Sequence, residues 1–245
     1  MASSMSNLTA ARTTLPRIPI PPRPTLTTER LLLRPLTEGD LEAYHALRVQ
    51  PAFMAESSLG KSDASLAETQ AALGDLSDPS SETFLFGIFV AATGELIGDG
   101  GIHTVRFSGT GWPELGYKLA PAHWGCGYAT EAMRAVLGAW WGLEREEAAV
   151  KVHRDSLRSA TSIASTATNS QAKEPGESKG EGEEEEAGLV RECVAAEIAT
   201  YNYGSKNVLG KLGFEHFGTW EEPDTQLHRL GQPLELGHYV LAKPS

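Results

Sequence analysis

One stretch constrains this chain more than any other: Glu114 to Met133, ELGYKLAPAHWGCGYATEAM. Pro113 to Leu119 reads as a strand. Tyr128 to about Leu143 reads as a helix, with Ala129, Met133, Val136, Leu137 and Trp140 on one face. Gly125 and Gly127 flank a single residue at the junction. Glycine lets a backbone turn sharply and approach a ligand without a Cβ. The first helical turn carries N–H groups without intrahelical partners, and the helix dipole adds positive character. Together these make an anion site that suits a pyrophosphate. A strand–loop–helix unit of this kind belongs to an α/β fold.

Three readings compete on these residues alone. A phosphate loop of the P-loop kind needs Lys and Ser or Thr after the second glycine, where Tyr128 and Ala129 stand. A dinucleotide fingerprint needs a third glycine, where Thr130 stands, and an acid at the end of the next strand. A tight turn with no ligand remains open.

The rest of the sequence sets the frame. The chain has 245 residues, with 21 Lys and Arg against 32 Asp and Glu, a net charge of −11. That balance argues against a partner bound through nucleic-acid phosphates. No apolar run is long enough for a membrane span. The two cysteines, Cys126 and Cys193, make no disulfide framework and point to a reducing, cytoplasmic compartment. No secretory signal is predicted. Residues 1–27 are rich in Ser, Thr and Pro and read as a flexible tail. The tail holds Arg12, Arg17 and Arg23 with no acid before Glu29, which keeps a mitochondrial address open. Residues 153–188 read as a disordered, low-complexity insertion. Within it, 171–188 hold seven Glu against Lys173 and Lys179, a net of −5. What remains, 28–152 and 189–243, suits one domain spanning 28–243 and interrupted once.

Further elements follow from periodicity. Strands are predicted over 30–36, 83–90, 95–99 with an extension to 106, 193–200, around Trp220, and over 234–242. Helices are predicted after Thr37, after a cap at Ser62 or Asp63, and over 205–212. The result is a mixed sheet with helices on its faces.

Three blocks in register resemble the GNAT superfamily of acyl-CoA N-acyltransferases, in its Rim-type ribosomal-protein branch. They are Leu26-Thr27-Thr28-Glu29-Arg30-Leu31-Leu32-Leu33-Arg34-Pro35; Glu114–Tyr117 with Trp124–Ala132; and Asn202–Ser205 with Val208–Phe214. The resemblance covers essentially all 180 residues outside the tail and insertion. It implies a mostly antiparallel GNAT-like sheet flanked by helices, with acetyl-CoA as co-substrate and no metal. It also implies direct acetyl transfer to a primary amine: a protein N-terminus, a lysine or a small amine. Two departures stand out. Ala122 occupies a position usually Gln or Arg, and Leu209 stands where many members carry a tyrosine acid. They keep a non-catalytic acyl-CoA-binding module as the alternative.

The resemblance also suggests roles. The pyrophosphate falls to the N–H groups of Trp124, Gly125, Cys126, Gly127, Tyr128 and Ala129. The strand from Tyr117 to Leu119 supplies a donor to the thioester oxygen. Asn202 bonds the pantetheine arm, or merely caps a helix. Glu114 is the expected base, with a surface carboxylate as the plain reading; Glu221, Glu222 and Asp224 are runners-up. Ser205 faces the leaving thiol, or serves as a first-turn hydroxyl. Cys126 is a spacer, since direct transfer needs no covalent intermediate. His103 and His123 are lone histidines, and Trp140 and Trp141 read as core and partial surface. Acceptor specificity is expected in the early helices, the 56–61 loop and the last hairpin. The chain reads as a monomer or homodimer.

Overall fold

The computed structural model describes residues 7–55, 57–58, 60–77, 82–105, 109–161 and 189–244. The strands are β1 (Leu8–Pro16), β2 (Leu26–Thr27), β3 (Leu31–Arg34), β4 (Phe84–Val90), β5 (Leu96–Thr104), β6 (Glu114–Leu119), β7 (Arg145–His153), β8 (Cys193–Ala199), β9 (Glu215–Pro223) and β10 (Pro233–Ala242). The helices are α1 (Leu41–Arg48), α2 (Pro51–Met54), α3 (Leu66–Ser77), α4 (Tyr128–Trp141), α5 (Leu157–Thr161) and α6 (Tyr203–Leu212). Eight strands form one sheet in the order β2-β3-β4-β5-β6-β8-β10-β9.

Every neighbouring pair in that sheet is antiparallel except β6 and β8. These two run parallel and meet at one residue pair, Glu114 with Ala195. The Ala195 N–H donates to the Pro113 carbonyl at 2.8 Å. Beyond that point the strands diverge, so a wedge opens between their C-terminal ends. At the wide end β6 feeds the glycine loop and α4, and β8 feeds α6.

Apolar residues sort by face, as the two-residue strand period requires. Leu115, Val194 and Ala196 join Met133, Val136, Leu137 and Trp140 of α4 and Leu209 of α6 in the main core. Opposite, Tyr44, Leu47, Phe53, Met54 and Leu73 of the early helices pack on Phe89 and Leu96. A buried, bidentate ion pair links Arg48 of α1 to Asp63, at 2.6 and 2.9 Å. Thr69 of α3 also donates to Asp63 at 2.6 Å, so that carboxylate ties the two helices together. The predicted cap therefore moves: the Ser65 hydroxyl accepts from the Glu68 N–H in the first turn of α3.

The flexible-tail expectation needs correction over 8–16. β1 pairs antiparallel with β7 along nine residues, from Leu8 opposite His153 to Pro16 opposite Arg145. Ala11, Thr13 and Leu15 turn inward and are buried, while Arg12 bonds Glu147 at 2.8 Å on the outer side. The ribbon packs on β8 and β10 through Ala11, Trp112, Val152, Cys193, Ala195 and Val240. Composition hid this strand because its partner lies some 130 residues away in sequence. The insertion also begins later than expected. β7 runs to His153, and a turn at 154–156 leads into α5, whose Ala160 is buried. The remainder of the expected insertion, 162–188, lies outside the described residues, as do Arg106 at the end of the expected strand extension and Glu56 of the expected acceptor loop.

Candidate active site

Two chemically distinct regions flank the wedge. The first is the loop. A single 3₁₀ turn at 121–123 leaves β6, and α4 begins at Tyr128. Gly125 has φ +73° and Gly127 has φ +81°, left-handed values that favour glycine. Gly127 is also the N-cap of α4. The Trp124 N–H is already committed to the Pro121 carbonyl at 3.1 Å, and its indole N–H to the Leu119 carbonyl at 2.7 Å. Trp124 therefore shapes the loop rather than offering an amide, which corrects its expected part. The Gly125, Cys126, Gly127, Tyr128 and Ala129 amides form the cradle, at the positive end of a 14-residue helix. These groups fit a diphosphate.

Arg30, to which no role was assigned from sequence, braces this loop. Its guanidinium lies 2.6 Å from the Glu131 carboxylate, donates to the Cys126 carbonyl at 3.0 Å and sits over the Tyr128 ring. Burial would raise the proton affinity of Glu131. The Thr28 hydroxyl, the Arg30 amide and the Arg30 guanidinium outweigh that and hold it below the usual carboxylate range. Arg30, Arg134 and Lys211 line an open groove of about 500 Å³ beside Gly127, together with the carboxylates of Glu29 and Glu131. Cys126 is exposed, with its sulfur 3.5 Å from the Trp124 carbonyl.

Inside the wedge, β6 presents main-chain groups. The Gly116 and Lys118 carbonyls face β5, where a Cβ at Gly100 or Gly98 would strike them. By alternation, the N–H and C=O of Tyr117 face the open side. The Tyr117 ring packs against the α4 core, and burial pushes its hydroxyl up to about 12. That hydroxyl lies beside Ser205 without a well-formed hydrogen bond. Ser205 and Asn202 stand at the start of α6, where the Asn202 side-chain oxygen accepts from the Ser205 N–H at 3.0 Å. Asn202 is thus a cap, with its amide NH₂ left to reach further. Leu209 is fully buried in the core and offers no acid.

The second region is a group of carboxylates on the opposite face. Glu114 lies 3.4 Å from the His103 ring of β5. Glu197 follows one pleat beyond Ala195 on β8, so it shares that face. Directly across from Glu197 on β10 stands His238, fully buried, its Nε2 3.9 Å from Glu197 and 3.7 Å from Glu222. These separations are too long for hydrogen bonds, and burial pushes the imidazole down to about 3, so the contacts are not ion pairs. Neither His238 nitrogen makes a well-formed hydrogen bond, though the Leu236 and Gly218 backbones lie near the ring, and Glu197 Oε1 has no hydrogen-bond partner. Trp220 stacks on His238 at 3.5 Å and donates to Glu222 at 2.6 Å. Burial first, then the Glu114 and Glu222 charges, push Glu197 up to about 8.

Of the expected runners-up, Glu222 joins this group and the other two do not. Glu221 is exposed. Asp224 is buried in the hairpin turn, where it accepts from the Gln226 N–H and pairs with Arg229 at 3.2 Å. That turn closes onto the segment after α2: Gln226 donates to the Ala55 carbonyl at 2.6 Å and Thr225 to the Ser58 carbonyl at 2.9 Å. Two of the segments expected to choose the acceptor therefore touch. Sequence reasoning missed Glu197 and His238, which carry no motif; only their pairing across β8 and β10 reveals them. Among the described residues no His, Cys, Asp and Glu cluster could hold a metal, and no helix is long and apolar enough to cross a membrane.

Known proteins share this fold. A GNAT-family acetyltransferase from Bacillus anthracis is similar at TM-score 0.56 and 15% identity, over 90% of this chain and 99% of its own. A Vibrio cholerae spermidine N-acetyltransferase, solved with CoA and spermine, is similar at 0.56 and 15%, over 88% and 97%. RimJ from Mycobacterium smegmatis, in complex with CoA-disulfide, is similar at 0.58 and 16%, over 89% and 87%. At such identities the likeness is one of fold. No curated protein sequence matches. The sequence profile of the acetyltransferase (GNAT) domain matches residues 30–215, from β3 through the glycine loop, β8 and α6. The chain belongs to the GNAT acetyltransferase family, and its enzymatic activity is acetyl-CoA-dependent N-acetyl transfer.

Proposed function

We propose that the protein acetylates a cationic primary amine that enters from the carboxylate face, by direct attack and without a covalent enzyme intermediate. The observation that carries this reading is the wedge. It joins a cradle of main-chain amides on one face to Glu114, Glu197 and Glu222 on the other. An anionic donor and a cationic acceptor are thus drawn to opposite ends of one opening.

Each side chain has a role in this reading. The Gly125–Ala129 amides hold the diphosphate, and Arg30 keeps their loop in shape. Acetyl-CoA supplies the activated acyl group. The Tyr117 N–H, on the open side of β6, is in this reading the donor to the charge that gathers on the acyl oxygen as the amine attacks. Glu114 meets the ammonium directly or through one water. Ser205, beside Tyr117, faces the departing sulfur and gives or relays its proton. The Asn202 amide steadies the pantetheine arm from the cap of α6.

The alternative is a module that binds the carrier and performs no transfer, and buried Leu209 is the feature that favours it. A thiol-release assay with acetyl-CoA separates the two. The acceptor panel is spermidine, a serine-initiated peptide and a lysine peptide, suggested by the neighbours and by the acidic face. Turnover with at least one amine is expected. Tight CoA binding with no turnover on any of them would overturn the proposal.

A further inference from the structure

We propose that Glu197 of β8 is the side chain that takes the proton from the acceptor ammonium, with Glu114 as its partner rather than the final acceptor. This deepens the acetyl-transfer reading and rests on it. Four observations converge on Glu197. It lies one pleat past the single point where β6 and β8 pair, and so at the mouth of the wedge. Its Oε1 is shielded yet makes no hydrogen bond. Gly109 stands over it: a Cβ there would come within 3.1 Å of that oxygen. Opposite it, His238 is fully buried, makes no well-formed hydrogen bond and offers no compensating charge.

The chemistry requires a base whose proton affinity approaches that of an amine, because transfer is efficient when the two are matched. A carboxylate in water is too weak by several units. Burial and two like charges strengthen Glu197 as a base, pushing its carboxyl up to about 8. The groups that face it are Glu114 on β6, with His103 of β5 at 3.4 Å from Glu114, then Glu222 on β9 and His238 on β10. Behind them His153 of β7 stacks on Trp220, and burial depresses its proton affinity. Among these described residues, no fixed cation neutralises the three carboxylates.

The step balances as follows. The ammonium gives one proton to the Glu197 carboxylate and becomes a free amine. Its lone pair attacks the acyl carbon, the carbon–sulfur bond breaks, and the sulfur leaves as thiolate. The second nitrogen proton is lost as the amide forms and is matched by protonation of the sulfur. Glu197 returns its proton to solvent, which its side chain reaches with 16% of its surface exposed.

The test is the pH profile of kcat/KM with one fixed amine, in wild type, Glu197→Gln and Glu114→Gln, with CoA affinity measured in parallel. Wild type should rise through a limb near pH 8, where Glu197 loses its proton. Glu197→Gln should lose about 10²- to 10⁴-fold in kcat/KM and lose that limb, with CoA affinity unchanged. Glu114→Gln removes a like charge, so its limb should move to lower pH. A Glu197→Gln enzyme that keeps the limb and falls by less than about threefold would overturn the assignment while leaving the acetyl-transfer reading intact. A wild type that binds CoA and turns over no amine would overturn both.

Discussion

The two sides of the wedge are built in opposite ways. The cradle is local: Gly125 to Ala129 lie in one turn, and their backbone shape follows from two left-handed glycines and a helix start. The carboxylate face is assembled from five strands, with His103, Glu114, Glu197, Glu222 and His238 drawn from β5, β6, β8, β9 and β10. Main-chain amides have a fixed charge distribution, so the cradle needs no titration. The carboxylates change charge with each other's state, so the second face is tunable by pH and by single substitutions. A binding site can therefore be written in a dozen consecutive residues, whereas a proton-handling site is written in the sheet.

The largest expected effect strikes the local side. Gly127→Trp forces a bulky residue to φ +81° in the cradle, and CoA affinity should fall at least about 100-fold while far-ultraviolet circular dichroism is preserved. Calorimetry reads the binding. Unchanged affinity would break the contrast, because the local site would then not be local. Next is the ribbon that backs the carboxylate face. Leu15 of β1 is 2% exposed, and Leu15→Ala should cost about 3 kcal/mol, lowering Tm by about 6–12 °C. A Tm within about a degree of wild type would return residues 8–16 to the status of a tail.

Those two regions also show how far the sequence can be read. The loop, the flanking strand and α4 were legible because their signals are contiguous: alternation, two glycines, then a helical apolar face. β1 and β7 were not. Arg145-Glu146-Glu147-Ala148-Ala149 has no strand-like pattern and is ordered by its pairing with Leu8–Pro16. Glu114 was legible as a carboxylate on the strand beside the loop. Glu197 was not, because nothing in Val194-Ala195-Ala196-Glu197-Ile198 distinguishes a surface acid from a buried one. Its environment comes from His238, 41 positions later, and from Glu222. Arg30 sat in plain view in the opening block, but its work on the Cys126 carbonyl is tertiary.

A smaller effect sharpens the tunable side. Glu197 binds its proton more tightly folded than unfolded. Between its ordinary value of 4.5 and about 8, the folded state holds a proton that the unfolded chain has lost. Its contribution to stability therefore declines as pH rises across that window and is flat above it. Glu197→Gln should remove this decline, so its Tm should gain on wild type from pH 5 to pH 8.5. A constant difference between the two melting curves would contradict the buried, like-charged setting. The smallest effect belongs to Cys126→Ser, where the thiol has no assigned chemistry. Its kcat/KM should stay within about twofold of wild type, and a loss beyond about tenfold would give the loop a chemical part as well as a binding one.

The central claim is that unpaired main-chain amides between Gly125 and Ala129 grip the diphosphate of the acyl carrier. Amide nitrogen–proton spectra recorded during a CoA titration test it most directly. The account predicts that the largest shifts fall on the Gly125, Cys126, Gly127, Tyr128 and Ala129 amides. The Trp124 amide, already bonded to Pro121, should move less. Saturation with those five resonances unmoved, and the shifts gathered elsewhere, would contradict it.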